Sequence, residues 1–164
     1  MRSFVIAIVK VVLLLAGLAA LGQVLARRKT VGDETSDEFA IAAYVGGVER
    51  TCRAEALRRG SVSVVLGGVD LDLREATLDP AGADLAVSAS WGGVSVTVPR
   101  EWRVLVEDRA TLGGVDARVT PLDELTEDAP VLRVVAGARF GGVSIDAAGA
   151  TTHAGHELRG VAST

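Results

Sequence analysis

The tripeptide Gly-Gly-Val occurs five times and organises the chain after residue 38. Successive copies lie 21, 25, 21 and 28 residues apart. Apolar residues alternate on both sides of the glycines, but the phase changes there: Val64 and Leu66 are even-numbered, whereas Val69 and Leu71 are odd-numbered. A period of two predicts strands, so each copy is predicted to form a strand, a glycine bend and a second strand. The predicted bend residues are Gly46, Gly47, Gly67, Gly68, Gly92, Gly93, Gly113, Gly114, Gly141 and Gly142.

Two folds accommodate a phase change at Gly-Gly. In a β-hairpin meander, the glycines form two-residue loops and Leu66 lies opposite Val69. In a β-solenoid, they form corners that turn the chain while its apolar side stays inward. The recurring spacing and the Val that follows every Gly-Gly favour a stack in which equivalent residues of successive repeats lie beside each other. We therefore predict an all-β, single-stack β-solenoid, with the hairpin meander as the alternative.

Composition argues against several functions. After residue 38 the chain has 12 basic and 17 acidic residues, so it lacks the basic surface of a nucleic-acid-binding protein. Cys52 is the single cysteine, which excludes an intrachain disulfide and a cysteine zinc site. His153 and His156 are three positions apart but have no third ligand nearby in sequence, so we predict no metal, cofactor or catalytic site.

The apolar segment 4–26 contains only Lys10 and Gln23 as polar interruptions and is long enough to span a bilayer. A single-pass membrane anchor is predicted. The alternative is a signal peptide cleaved after residues 17–19 or 20–22, which have the small-x-small pattern. The basic cluster 27–29 follows the apolar segment and favours a cytoplasmic repeat domain under the positive-inside rule.

Beyond this segment, residues 27–38 are predicted to be a charged linker, and residues 39–164 a repeat domain whose pattern weakens after residue 147. Short helical turns are predicted at residues 54–59 and 122–127. Trp91 and Trp102 are predicted to be core or corner residues, with exposed contact residues as the alternative.

Residues that follow each Gly-Gly-Val form an outward, mainly acidic stripe if the strands stack. Such a stripe discourages strand-edge pairing, and it is also the predicted partner face. Its carboxylates are Asp70, Asp72, Asp116 and Asp146.

The segments Gly67–Ala76, Trp91–Val104 and Leu112–Val115 carry a family resemblance. Their Gly-Gly-Val and Val-Pro-x-x-Trp elements resemble the C-terminal domain of the LiaF family, also called the cell wall-active antibiotics response proteins. That family is related to the toastrack, or putative-adhesin, repeat domains. The resemblance covers about residues 40–147, and the chain has one predicted span where LiaF proteins have several. It implies a membrane-attached modulator of envelope-stress signalling that acts on a partner sensor kinase rather than on a substrate.

The expected function is thus that of a non-catalytic, membrane-anchored interaction module. Its expected partners are the membrane, through residues 4–26, and either a membrane sensor protein or further copies of itself. A self-assembling scaffold at the membrane and a secreted or surface adhesin-like module are the alternatives.

Overall fold

Long strands run through the Gly-Gly corners and stack in parallel, as the repeat predicts. A computed structural model describes residues 31–148, and these form an all-β, parallel β-solenoid of about four turns. The strands are β1 (Glu38–Thr51), β2 (Arg59–Asp72), β3 (Ala83–Val98), β4 (Arg103–Asp108), β5 (Leu112–Arg118) and β6 (Val131–Ala147).

Equivalent residues of the repeat lie beside each other on neighbouring strands. Gly67 pairs with Gly46 on β1 and with Gly92 on β3, and the pairing of these strands is parallel throughout. Leu66 pairs with Val45 rather than lying opposite Val69. The hairpin alternative is therefore wrong, and the solenoid prediction is confirmed.

The stacking order differs from the order along the chain. The sheet runs β1-β2-β3-β6-β4, with β5 also beside β6, so the last strand inserts between the third and the fourth. Together, β4 and β5 form one rung that is interrupted at residues 109–111. An interrupted strand is tolerated best at the end of a stack, where it pairs on one side only, whereas the unbroken β6 can pair on both sides.

The core lies between two arms of each rung. We call the part before Gly-Gly the first arm and the part after it the second arm. In β2, the first arm buries Val62 and Val64, and the second arm buries Val69 and Leu71. Short connections close the third side: Leu57 pairs in parallel with Leu78, and both are buried.

Among the minor predictions, a 3-10 helix is present at Leu122–Glu124, inside the predicted turn 122–127. The turn predicted at residues 54–59 is wrong. Leu57 donates its backbone N–H to the Thr77 carbonyl and pairs with the next rung, which satisfies the backbone without a helix.

The two glycines of the β2 corner have different steric roles. A Cβ on Gly67 would collide with the carbonyl oxygen of Gly46 on the neighbouring rung, and φ at Gly67 is +143°, a conformation that glycine alone adopts cheaply. A Cβ on Gly68 would meet nothing closer than the Gly93 oxygen, 3.8 Å away. The first glycine of the corner is required by packing, whereas the second is not.

The segment before β1 is attached to the edge of the stack. Val31 and Ala40 exchange backbone hydrogen bonds of 2.9 and 2.8 Å. Arg50, which interrupts the apolar pattern of the first copy, lies on this end strand and donates to the Gly32 carbonyl. Part of the predicted linker thus contacts the domain.

The predicted anchor, residues 4–26, and the tail after Ala148, with His153 and His156, lie outside the described residues. From Val31 to Ala148, no helix has the length and apolar character needed to cross a membrane.

Candidate functional site

An exposed apolar column runs along the outside of the Gly-Gly corners. It consists of the residue that precedes the first glycine in each copy, and we call it the corner ridge. Neighbouring members are in register on β1, β2 and β3, and Trp91 of β3 stacks on Phe140 of β6 with ring centroids 4.6 Å apart. Its members and their exposed fractions are Val45 46%, Leu66 54%, Trp91 56%, Phe140 52% and Leu112 62%.

The corner ridge corrects the sequence interpretation, which continued the inward alternation up to the glycines. Leu66 and Trp91 were predicted to face inward, but both are exposed, while Trp102 is buried as predicted. The reason is local: Val65 and Leu66 are both exposed, so the bend begins before the first glycine and the preceding side chain lies outside it. The alternative for Trp91, an exposed residue, is the one that the structure supports.

One signal in the sequence distinguishes this column. The residue after Gly-Gly is Val in all five copies, and Val69, Val94 and Val143 are fully buried there. The residue before Gly-Gly ranges from Val to Trp. This contrast separates the two columns beside the glycines but is not a general rule for the stack, since the buried column of Phe39, Gly60 and Leu85 varies as widely.

Phe140 has an unusual backbone conformation. Among residues 31–148 it is the non-glycine residue with a positive φ, +52°. Bulky side chains in the left-handed region cost free energy that glycine or asparagine would avoid. An exposed aromatic ring is therefore kept where a smaller residue would suit the backbone better, which marks the corner ridge as a candidate contact surface.

The predicted acidic residues share the outer surface of the second arm. Asp70 is in register with Ser95, and Ser144 of β6 lies beside Ser95 on one side and Asp116 on the other. Asp72 and Asp146 lie in the next outward column, each paired with Thr97 of β3. The structure thus brings the four residues onto one face, with Asp70 and Asp116 exposed and Asp72 and Asp146 partly buried.

Arginines neutralise much of this acidic face. Arg74 contacts Asp72 at 2.6 Å, and its hydrogen bonds hold the pKa of that carboxyl below its usual value. Arg118 contacts Asp116 at 2.8 Å and approaches Asp146 at 3.9 Å. Asp70 makes no ion pair with any residue between 31 and 148.

The outer surface of the first arm is less acidic. One row across it consists of small residues, Ala42, Ser63, Ser88 and Gly137. A second row alternates in charge from Glu38 through Arg59 and Asp84 to Arg133. Arg139, exposed on this side next to Phe140, has no ion-pair partner in the described range. The corner ridge therefore separates an acidic face from one with a free arginine at its border.

Groups suited to catalysis are sparse in the described part. Shallow concavities of about 360, 360 and 320 Å³ are lined without histidine or cysteine. Cys52 is buried, and desolvation raises the pKa of its thiol, which disfavours the nucleophilic thiolate. Between residues 31 and 148, no group of three or more His, Cys, Asp or Glu side chains is placed to hold a metal ion.

Comparison of the chain with protein-family models, with curated proteins and with solved structures found no match. The corner ridge and the acidic second-arm face are the two most distinctive surfaces of residues 31–148.

Proposed function

We propose that this chain is a non-catalytic, membrane-anchored interaction module. Residues 4–26 would hold the solenoid beside the bilayer, on the cytoplasmic side that the basic cluster 27–29 favours. The LiaF resemblance suggests that its protein partner is a membrane sensor of envelope stress. The rigid stack would act by presenting its surfaces rather than by chemistry.

The corner ridge carries this proposal. Single exposed apolar residues are normal on protein surfaces, but a contiguous apolar column is typical of an interaction surface. Val45, Leu66, Trp91 and the strained Phe140 form such a column, and Leu112 lies beside Arg139 at its end. The acidic second-arm face, where Asp70 is without an ion pair in the described range, offers a second surface suited to a basic partner.

Site-specific photo-crosslinking of the full chain in its native membranes tests the proposal. A photoreactive residue would be placed at Leu66 on the corner ridge, at Asp70 on the acidic face, and at the exposed loop residue Glu127 as a matched control. We expect a discrete adduct from Leu66 or Asp70 that Glu127 does not give. A membrane-bound chain that gives the same result at all three positions would contradict an interaction module.

The open edge of the terminal rung favours a second candidate, the self-assembling scaffold. Both β4 and β5 pair with β6 on one side and with no other described strand. Unpaired strand edges can template further pairing. A ladder of species whose size grows with concentration, seen by sedimentation of the full chain, would favour the scaffold, and a single species at all concentrations would refute it.

A further inference from the structure

We propose that the corner ridge docks on the anionic lipid surface of the membrane that anchors the chain. This inference rests on the proposed membrane anchor and names the partner of the corner ridge. The side chains that would enter the lipid interface are Leu66, Trp91 and Phe140, with Arg139 beside them to contact lipid phosphates.

The short tether supplies the first argument. Because Val31 is bonded to β1, only residues 27–30 remain between the apolar segment and the fold. Four extended residues span at most about 14 Å. Val45 lies five residues along β1 from Ala40, the partner of Val31, which corresponds to about 17 Å of strand. With so short a tether, an inclination of the strands to the membrane plane would bring the corner ridge to the lipid surface.

Side-chain chemistry supplies the second argument. Tryptophan is enriched at membrane–water interfaces, and surface-bound proteins typically combine buried aromatic and aliphatic side chains with nearby cations. The corner ridge has that composition. Next to it runs the second-glycine column, where Gly68 and its equivalents bear no side chain although the packing has room for one. This bare strip lets the projecting rings of Trp91 and Phe140 enter the interface without neighbouring side chains in the way.

The charges on either side of the corner ridge favour anionic lipids and determine how the stack is oriented on the membrane. Arg139 adjoins Phe140 on the first-arm side and lacks an ion-pair partner within residues 31–148. In sequence, the basic cluster 27–29 follows the predicted anchor directly and adds positive charge there. Glu49, Asp70 and Asp116 lie on the opposite, second-arm side. An anionic surface attracts the first side and repels the second, so the acidic face is turned away from the bilayer and left free for a protein partner.

A second copy is a weaker occupant of the corner ridge. Half-exposed side chains of this size each present on the order of 100 Å². Two ridges packed against each other would bury about 1,000 Å², which is only the lower bound for a specific protein interface. The lipid surface requires no matching shape and is already within reach of the tether.

Tryptophan fluorescence of the full chain in vesicles tests the proposal, because Trp91 and Trp102 are the two tryptophans of the sequence. The vesicles contain anionic lipids whose acyl chains are brominated, and bromine quenches a tryptophan that it contacts. The wild-type spectrum minus that of Trp91→Phe isolates Trp91, while the spectrum of Trp91→Phe reports the buried Trp102 as an internal control.

We expect bromine near the headgroup end of the acyl chains to reduce the Trp91 signal about twofold, as for a residue at the membrane interface. The Trp102 signal should stay unchanged. Phe140→Asn, which suits the left-handed backbone but removes the ring, and Arg139→Gln should each weaken the quenching, the latter in anionic vesicles only. Far-UV circular dichroism of these variants checks that the fold is retained.

The outcomes separate this inference from the proposed function. If the full chain fails to float with vesicles, the membrane anchor is refuted and the lipid docking with it. If the chain floats but Trp91 is unquenched, the anchor stands and the docking is overturned. Trp91 that is unquenched by bromolipid yet shielded from iodide in solution would assign the corner ridge to a second copy or another protein.

Discussion

The interior rungs of the solenoid and its terminal rung come from the same repeat but are packed differently. Val94 in β3 is 2% exposed, whereas Val115, at the same repeat position in β5, is only partly buried. The difference arises because β3 has strands on both sides, while β5 has β6 on one side only. The repeat pattern thus determines which face of each strand points to the core. Full burial of that face also requires a neighbouring strand on each side.

Substitutions of the first corner glycine should show the largest difference in stability between an interior strand and an end strand of the stack. We expect Gly67→Ala to lower the free energy of unfolding by at least about 3 kcal/mol, because a Cβ there collides with the Gly46 carbonyl and the positive φ adds strain. Gly46 is on the end strand, where an added Cβ would have no atom within 4 Å and only its φ of +105° is unfavourable. Gly46→Ala should therefore cost about 1–2 kcal/mol. Urea unfolding followed by circular dichroism measures both.

Gly68→Ala is the matched control for Gly67→Ala, since the two positions are adjacent and the change is the same. Its nearest atom would be 3.8 Å away, so the free energy of unfolding should change by no more than about 0.5 kcal/mol. Equal losses at Gly67 and Gly68 would show that the two glycines do not have the steric roles assigned to them.

Substitutions of the Val that follows Gly-Gly should show a smaller difference in stability between an interior rung and the terminal rung. Val94→Ala removes two fully buried methyl groups and leaves a cavity between neighbouring rungs, so we expect a loss of about 2–3 kcal/mol. Val115→Ala makes the same change in the terminal rung, where the side chain is already partly exposed and the cost should be about 1 kcal/mol or less. Unfolding midpoints that fall equally in both variants would contradict an end effect.

Much of the fold could be predicted from the sequence because one physical rule, alternation, repeats five times. The strands, the glycine bends and the buried residues on both sides of them follow from it, as Val64 and Val69 illustrate. The order of the rungs does not follow, because β4 with β5 and β6 carry the same pattern and either could occupy the end position. The structure places the interrupted pair at the end, and alternation does not register such an interruption.

The candidate site was harder to predict, for a related reason. Alternation assigns Leu66 and Trp91 to the core, but it describes straight strands and gives no account of where a corner begins. Asp70 and Asp72 lie two positions apart on β2, so alternation alone is enough to place them on one face. Their ion pairs were not predicted, because Arg74 and Arg118 reach them through side-chain conformations that a pattern of residue types does not specify.

The smallest difference in stability between an interior strand and the terminal rung is expected on the acidic face, and it depends on pH. Hydrogen bonds from Arg74 lower the pKa of Asp72 in the folded protein. A lowered pKa stabilises the fold above the unfolded value of about 3.9, and the stabilisation is lost as pH falls through the folded pKa. Arg74 is well exposed, so solvent screening keeps this contribution small. The stability difference between wild type and Asp72→Asn should therefore be constant near neutral pH and shrink below about pH 4.

Asp116→Asn provides the comparison on the terminal rung. Asp116 and its ion-pair partner Arg118 are both about as exposed as Arg74. Asp72 is more buried than Asp116. Solvent screens such a pair strongly, so we expect a smaller effect on the free energy of unfolding at neutral pH than for Asp72→Asn. Urea titrations between pH 3 and pH 7, in low and in high salt, measure both variants on the same scale. An Asp116→Asn loss that equals or exceeds that of Asp72→Asn would show that this face is stabilised without regard to position in the stack.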